Sequence, residues 1–240
     1  MRIYSLLVLA SIYLISSNSY AMGLRSFVAL PVNKGGLVTR LVLDEVPETN
    51  NDKLTANLAY GFDNKQAFFL ASPYRISDGK DDRLGDIGLL YRNLVWQDIN
   101  SGIKSSRLGI LLGGVAPTDS DRDPKASAGF VYTYVNDKHE FDADALWQQG
   151  IDDAKNELRY DLSYQYRLFP KEYPEWGLST LVNTVVEFAG RGVEGNTVVQ
   201  QLTGGLQWVV TPRWVLEGGL TQDLNGPNDT NYIFSTRFHF

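Results

Sequence analysis

Residues 158–168 read Leu-Arg-Tyr-Asp-Leu-Ser-Tyr-Gln-Tyr-Arg-Leu, with every second side chain apolar or aromatic and every intervening one polar. A strict period of two belongs to a β-strand with one face in an apolar phase and the other in a polar one. The run is also long enough for a tilted strand to cross a bilayer, which takes about 9–11 residues. The same alternation recurs along the chain. Leu54, Ala56, Leu58 and Tyr60 alternate with Thr55, Asn57 and Ala59. Leu108, Ile110 and Leu112 alternate with Arg107 and Gly109, and Phe141, Ala143, Ala145 and Trp147 with Glu140, Asp142, Asp144 and Gln148. Leu202, Gly204, Leu206 and Trp208 alternate with Gln201, Thr203 and Gln207. Ile87, Leu89 and Tyr91 follow the rule with Leu90 as an exception. Beyond residue 22 no stretch shows the i, i+3, i+4, i+7 spacing of an amphipathic helix.

This pattern predicts an all-β chain, an antiparallel transmembrane β-barrel of about twelve strands. The strands are expected at 36–46, 53–61, 66–75, 85–97, 103–115, 126–136, 139–149, 156–168, 176–188, 197–210, 213–222 and 230–240. Connections after even-numbered strands are mostly short, such as Phe62 to Lys65, Asp137-Lys138 and Thr211-Pro212. Those after odd-numbered strands are longer and acidic, such as Pro47 to Asp52, Pro117 to Lys125 and Gly190 to Asn196. Outer-membrane barrels are built this way, with short periplasmic turns and longer outer loops. An even count puts both ends of the barrel on the periplasmic rim.

A soluble β-sandwich also alternates apolar and polar residues. It has no reason, however, to sort aromatic residues by height. Tyr134, Phe141, Tyr166, Trp176, Trp208, Trp214, Phe238 and Phe240 fall towards the periplasmic rim, and Trp147, Tyr160, Phe188 and Tyr232 towards the other. Tyr and Trp favour the headgroup region, where an apolar body and a polar tip are both accommodated.

Composition and the first residues narrow the setting. Leu6 to Ile15 form an apolar run behind Arg2, too short for a spanning helix, and Ser19-Tyr20-Ala21 ends it with small residues where a leader peptidase cuts. Residues 1–21 are therefore expected to be a signal peptide, cleaved near Ala21, and residues 22–240 the barrel. The chain has no Cys, which excludes a disulfide scaffold and a Cys-based zinc site. Its net charge of −6 speaks against a nucleic-acid partner, and its mean hydropathy of −0.21 against a helical membrane protein.

The terminal Tyr232-x-Phe234-x-x-x-Phe238-x-Phe240 resembles the last strand of bacterial outer-membrane proteins. That resemblance implies a Gram-negative outer-membrane location, recognition by the barrel-assembly machinery, and a surround of lipid and lipopolysaccharide. Gly85-Asp86-Ile87-Gly88-Leu89-x-Tyr91-Arg92 resembles the Gly-Asp strand of the transporter-like family named for a MetA pathway of phenol degradation. Gly113-Gly114-Val115-Ala116-Pro117-Thr118 is similar to that family's apolar-Pro-Thr-Gly strand end, with Asp119 in place of the usual Gly. The likeness implies an outer-membrane barrel that passes small compounds, aromatic or apolar ones among them.

The residues carry little sign of bond-making chemistry. The two His residues, His139 and His239, both fall at the periplasmic rim, away from where a lipase-like or protease-like barrel places its own. Asp119-Ser120-Asp121-Arg122-Asp123 opens like a calcium loop, but Pro124 stands where Gly should turn the chain and Phe130 where the bidentate Glu should be. Gly190-Arg191-Gly192-Val193-Glu194-Gly195 lacks the Lys and helix of a phosphate loop and reads as an outer loop. No enzymatic activity, cofactor or metal is expected.

The inward face is the candidate site. Parity places Asp86, Glu140, Asp142, Asp144, Glu157, Asp161, Glu187 and Glu217 there with Arg92, Arg107, Arg159, Arg167 and Arg237. Charges at membrane depth must face water or partners. Two readings follow. With eight acids against five bases, the charges line a narrow aqueous channel that favours cations or neutral polar solutes, or they pair across the lumen and fill it, leaving a structural or binding barrel that acts through its loops. Twelve strands lie between the ~8 that side chains can fill and the ~16 that leave an open pore.

Overall fold

The computed structural model describes residues 23–48, 51–77, 83–101, 103–172, 180–226 and 230–240. The expected leader and Trp176 lie outside these residues. Twelve strands make the fold: β1 (Leu37–Glu45), β2 (Lys53–Gly61), β3 (Gln66–Arg75), β4 (Ile87–Ser101), β5 (Lys104–Ala116), β6 (Lys125–Asn136), β7 (His139–Gly150), β8 (Glu157–Phe169), β9 (Leu181–Val193), β10 (Val199–Thr211), β11 (Trp214–Asp223) and β12 (Thr230–His239). Each pairs antiparallel with its neighbour in sequence. β1 closes the barrel against β12, in register from Val38↔His239 to Glu45↔Tyr232. Closure leaves no strand edge unpaired, which a wall in hydrocarbon requires.

The orientation of side chains is the reverse of a soluble protein's. Leu41, Leu112, Leu206 and Phe234 stand exposed on the outer face, and Leu162 is 52% exposed. Asp142, Asp161, Thr203, Gln207 and Arg237 are buried inside, and Glu187 is 0% exposed. A sandwich would bury the first set and expose the second. The twelve-stranded antiparallel barrel is thus a transmembrane one.

Rings gather where the short turns lie. Phe141 meets Tyr164 at 4.7 Å, and Trp214 stacks on Phe238 at 6.1 Å between ring centres. A chain of contacts links Tyr60, Phe62, Phe68 and Tyr91, four further rings at that rim that the sequence reading passed over.

The largest departure from the expected boundaries is β9, which runs from Leu181 to Val193 rather than over 176–188. Gly190, Arg191 and Gly192 therefore extend the wall instead of forming a loop. Gly190 sits opposite Tyr160, whose ring lies where a Cβ would be, so a glycine that reads as a loop signal is the seat of a cross-strand aromatic. The connection between β8 and β9 is correspondingly long for the short-turn rim.

β10 and β11 approach each other closely at Gly204-Gly205 and Gly218-Gly219. A Cβ on Gly219 would lie 2.7 Å from the Gly204 carbonyl oxygen and 2.8 Å from Leu24 Cδ1. Gly219→Ala should therefore cost about 1–3 kcal/mol. The measurement is the temperature at which the barrel loses its heat-modifiable migration in gel electrophoresis, which should fall; an unchanged temperature would show that this approach is loose.

Candidate functional site: a strapped lumen

Residues 23–36 precede β1 and run into the lumen from the short-turn rim. Leu24, Val28, Ala29 and Leu30 are buried there. Only its end, at Gly35 and Gly36, bonds to a strand backbone, that of Gly61 in β2, and over Leu24 to Ala29 wall side chains take up its backbone polar groups. Glu187 accepts hydrogen bonds from the backbone N–H of Arg25 at 3.0 Å, from that of Ser26 at 3.3 Å and from Ser26 Oγ at 2.9 Å. Asp144 accepts from Phe27 N–H at 2.8 Å, and Thr133 Oγ1 from Ala29 N–H at 2.9 Å. Arginines serve the carbonyls: Arg92 donates to Val28 O at 2.6 Å, and Arg40 to Leu24 O at 2.5 Å.

Apolar contacts alternate with these. Ala29 joins Leu90, Leu94, Leu111, Val131 and Leu146, with Phe27 and Phe69 packed against them. This accounts for Leu90, the apolar residue out of phase in its strand: it faces inward because the strap gives it an apolar partner. Val28 and Leu30 pack on Val135. Leu24 reaches the inner surface opened by Gly205 and Gly219.

The structure places the expected inward charges as follows. Asp161 is held between Arg159 at 2.9 Å and Arg191 at 2.5 Å, and Arg159 also lies 3.7 Å from Asp144 and over the Phe27 ring. Asp142 accepts from Thr133 Oγ1 at 2.5 Å and from Gln165 at 3.1 Å; Glu140 is buried beside it and shares Gln165. Glu217 gathers Arg40 at 2.6 Å, Arg237 at 3.4 Å, Gln207 and Ser235. Arg107 is buried and donates to Ser105 Oγ. Arg167 pairs with Asp137 at the short-turn rim, and Glu157 with Lys125 near the long-loop rim. Arg40, Thr133, Gln165 and Gln207 belong to this network although the sequence does not mark them as site residues, and Arg191, expected in an outer loop at the mouth, joins it from within β9.

Asp86 stands apart, at the long-loop rim. It pairs with Arg122 at 3.1 Å and accepts from Thr118 N–H, while Thr118 Oγ1 and Arg122 both donate to Leu84 O. The two short motifs around Gly85-Asp86 and Pro117-Thr118 are thereby clasped together. In the Asp119–Asp123 loop, Asp119 accepts from the backbone of Asp121 and Arg122 turns to the clasp. Among the described residues no group of His, Cys, Asp or Glu is arranged to hold a metal ion. His139 Nδ1 lies 2.8 Å from Tyr164 Oη on the outer face, and His239 turns inward with its backbone N–H donating to Arg213 O.

The lumen is two-sided. Its inward acids come from β7, β8, β9 and β11, together with Asp44 of β1. β2 to β5 turn Ala59, Ala67, Phe69, Ala71, Leu90 and Leu111 inward, with Arg92 and Arg107 as their buried charges. The strap is hydrogen-bonded chiefly to the acidic side. Beside it remains a cavity of about 1030 Å³ along β1 to β5. Its lining extends from Asn64, Arg213 and Phe240 at the short-turn rim to Asp44, Val115 and Gln148 near the long-loop rim.

Solved structures similar to the chain are outer-membrane barrels. One is an outer membrane channel from Pseudomonas putida F1, 15% identical, with a TM-score of 0.57 over 88% of this chain and 98% of that one. Another is the NanC porin, 10% identical, with a TM-score of 0.56 over 83% and 98%. A third is the KdgM porin, 10% identical, with a TM-score of 0.51 over 85% and 99%. No protein-family model and no curated protein sequence matches the chain. At these identities the likeness is one of fold, and the narrower resemblance to the phenol-pathway family gains nothing from it.

Glu187→Gln should loosen the strap. Hydrogen bonds to a charged acceptor are worth about 1.5–3 kcal/mol each. Amide exchange at Arg25 and Ser26 should therefore quicken by about tenfold or more, read by hydrogen exchange and mass spectrometry, while the wall strands keep their protection. Unchanged exchange at those amides would show that packing, not Glu187, seats the strap.

Proposed function

We propose that the chain is a passive channel of the Gram-negative outer membrane for small organic solutes. The observation that carries this reading is the cavity beside the strap, whose lining runs from one rim of the barrel to the other. The strap narrows the lumen without occupying all of it. Solute would move along the β1–β5 side, where the wall combines Ala, Val and Phe side chains with arginines. The other side, tied to the strap, would act as fixed scaffolding. The fold shared with the Pseudomonas channel and the two porins supports the same class of activity. A small, partly apolar solute suits the mixed lining, in line with the resemblance of the Gly85–Arg92 segment. The terminal Phe240, 73% exposed beyond the end of β12, is free to be read during assembly, and the aromatic rims suit a surround of lipid and lipopolysaccharide.

One observation favours a second reading. The strap's backbone is hydrogen-bonded to the wall at Arg25, Ser26, Phe27 and Ala29, as a permanent filling would be. The barrel would then be closed and would act through its loops.

Single-channel recording in a planar bilayer separates the two. The channel reading expects discrete current steps from the intact barrel, and steps several-fold larger from a barrel lacking residues 23–33. Arg159→Gln should alter cation/anion preference, because Arg159 lines the cavity and charges lining a narrow pore select by their field. A heat-modifiable, folded barrel that carries no current in either form would sink the channel reading.

A further inference from the structure

The cavity beside the strap has a chemistry of its own. Arg92 and Arg237 both line it, and they are 1% and 0% exposed. Neither spends its full set of donors on the protein. Arg92 gives one Nη to Val28 O and lies over the Phe69 ring at 5.0 Å, while its Nε and other Nη have no hydrogen-bond partner. Arg237 touches Glu217 at 3.4 Å, and none of its three nitrogens makes a hydrogen bond. His239 Nε2, also lining the cavity, is buried and unpartnered.

A buried cation without a counter-charge is costly, so a wall that keeps Arg92 with no carboxylate beside it fits a ligand that supplies one. Among the described residues, the only carboxylate side chain in the lining is that of Asp44, towards the long-loop end. The acids of β8 and β9 that face the lumen are already engaged: Asp161 by two arginines, Glu187 by the strap. Arg40, Arg159, Arg191 and Arg237 also line the cavity, but each is paired with an acid, Arg40 and Arg237 with Glu217 and Arg159 and Arg191 with Asp161. The remaining lining near Arg92 is mostly apolar, with Val42, Ala59, Phe69, Ala71 and Leu90, and Thr55 and Asn57 of β2 as its polar members. Polar hydroxyl groups would find few partners there.

From this arrangement we propose that the cavity binds small amphipathic organic anions, monocarboxylates with an apolar or aromatic body. The carboxylate sits on the free Nε and Nη of Arg92, and the body lies against the Phe69–Ala71 wall beside it. A polyhydroxylated acid meets Arg92 but not the wall, and a neutral aromatic meets the wall but leaves Arg92 unpaired. The proposal rests on the channel reading in one respect: the ligand class is also the solute class only where the cavity conducts.

The test is a ¹⁹F NMR titration of the detergent-solubilised barrel, purified from outer membranes after expression of the full chain. The probes are 4-fluorobenzoate, its neutral counterpart 4-fluorobenzamide and the cation 4-fluorobenzylammonium, with galacturonate as a competitor. Saturable binding of the benzoate is expected, about tenfold or more tighter than either counterpart, since a charge-assisted contact to arginine is lost in both. Galacturonate should displace it only weakly. Arg92→Gln, which retains a donor for Val28 O, and Ala71→Glu, which sets an acid in the wall, should each weaken benzoate binding by about tenfold in barrels that remain heat-modifiable. Equal affinity for benzoate and benzamide overturns the proposal, as does unchanged benzoate binding in both folded variants. Displacement by galacturonate as readily as by unlabelled benzoate would remove the apolar half of the ligand. The titration needs no current, so a barrel that binds benzoate and conducts nothing would count against the channel alone. One that conducts without preferring the anion would count against this ligand class alone.

Discussion

In hydrocarbon a backbone N–H or C=O has no water to turn to, and each unsatisfied group costs several kcal/mol. The β1–β12 seam answers this for the wall, joining the first and last strands through eight successive register pairs. The same demand returns inside. From Arg25 to Ala29 the strap has no strand backbone to bond to, yet its buried N–H groups find acceptors at Glu187, Asp144 and Thr133. Side chains on the wall thus do for the strap what a strand would do for another strand. Acids at mid-height, expensive in themselves, are positioned by that need.

The resulting electrostatics are lopsided. Inward acids gather on one side of the barrel, and the arginines between them bridge carboxylates in series, as Arg159 and Arg191 do on Asp161. Buried ion pairs add little net stability, because the desolvation of both partners offsets their attraction. Their effect here is positional. They keep the strap on the acidic side and leave the β1–β5 side with arginines, small residues and Phe69. The lumen's two halves hold different things for the same reason.

Much of the wall was legible from sequence because a strand in a barrel is constrained locally. Alternation along Leu158–Leu168 and Phe141–Trp147 gives both the strand and the direction of each side chain, and the paired turns give the count. β9 ran past its expected end because Gly190 and Gly192 carry the composition of a loop while Tyr160 supplies their packing from the next strand. The strap was not legible at all. Phe27-Val28-Ala29-Leu30 is too short and too aperiodic to stand out, and its hydrogen-bond partners lie 64 to 117 residues away. Leu90 was the one trace of it, an inward apolar residue with no reason to be there until the strap is present. Arg40 was missed for the same reason, its role being set by Leu24 and Glu217 rather than by its own strand.

The position of the strap also fixes an order of events in time. Its acceptors sit on β6, β7 and β9, so the first residues of the barrel have no seat until its later two-thirds exist. Yet β1 follows the strap directly, and β1 is half of the seam that closes the wall. Closing that seam with the strap outside would leave it facing a finished barrel. Seating of the strap therefore waits for β9, and an early part of the chain finds its place late. Such long-range contacts form slowly, since the cost of bringing distant segments together precedes their reward.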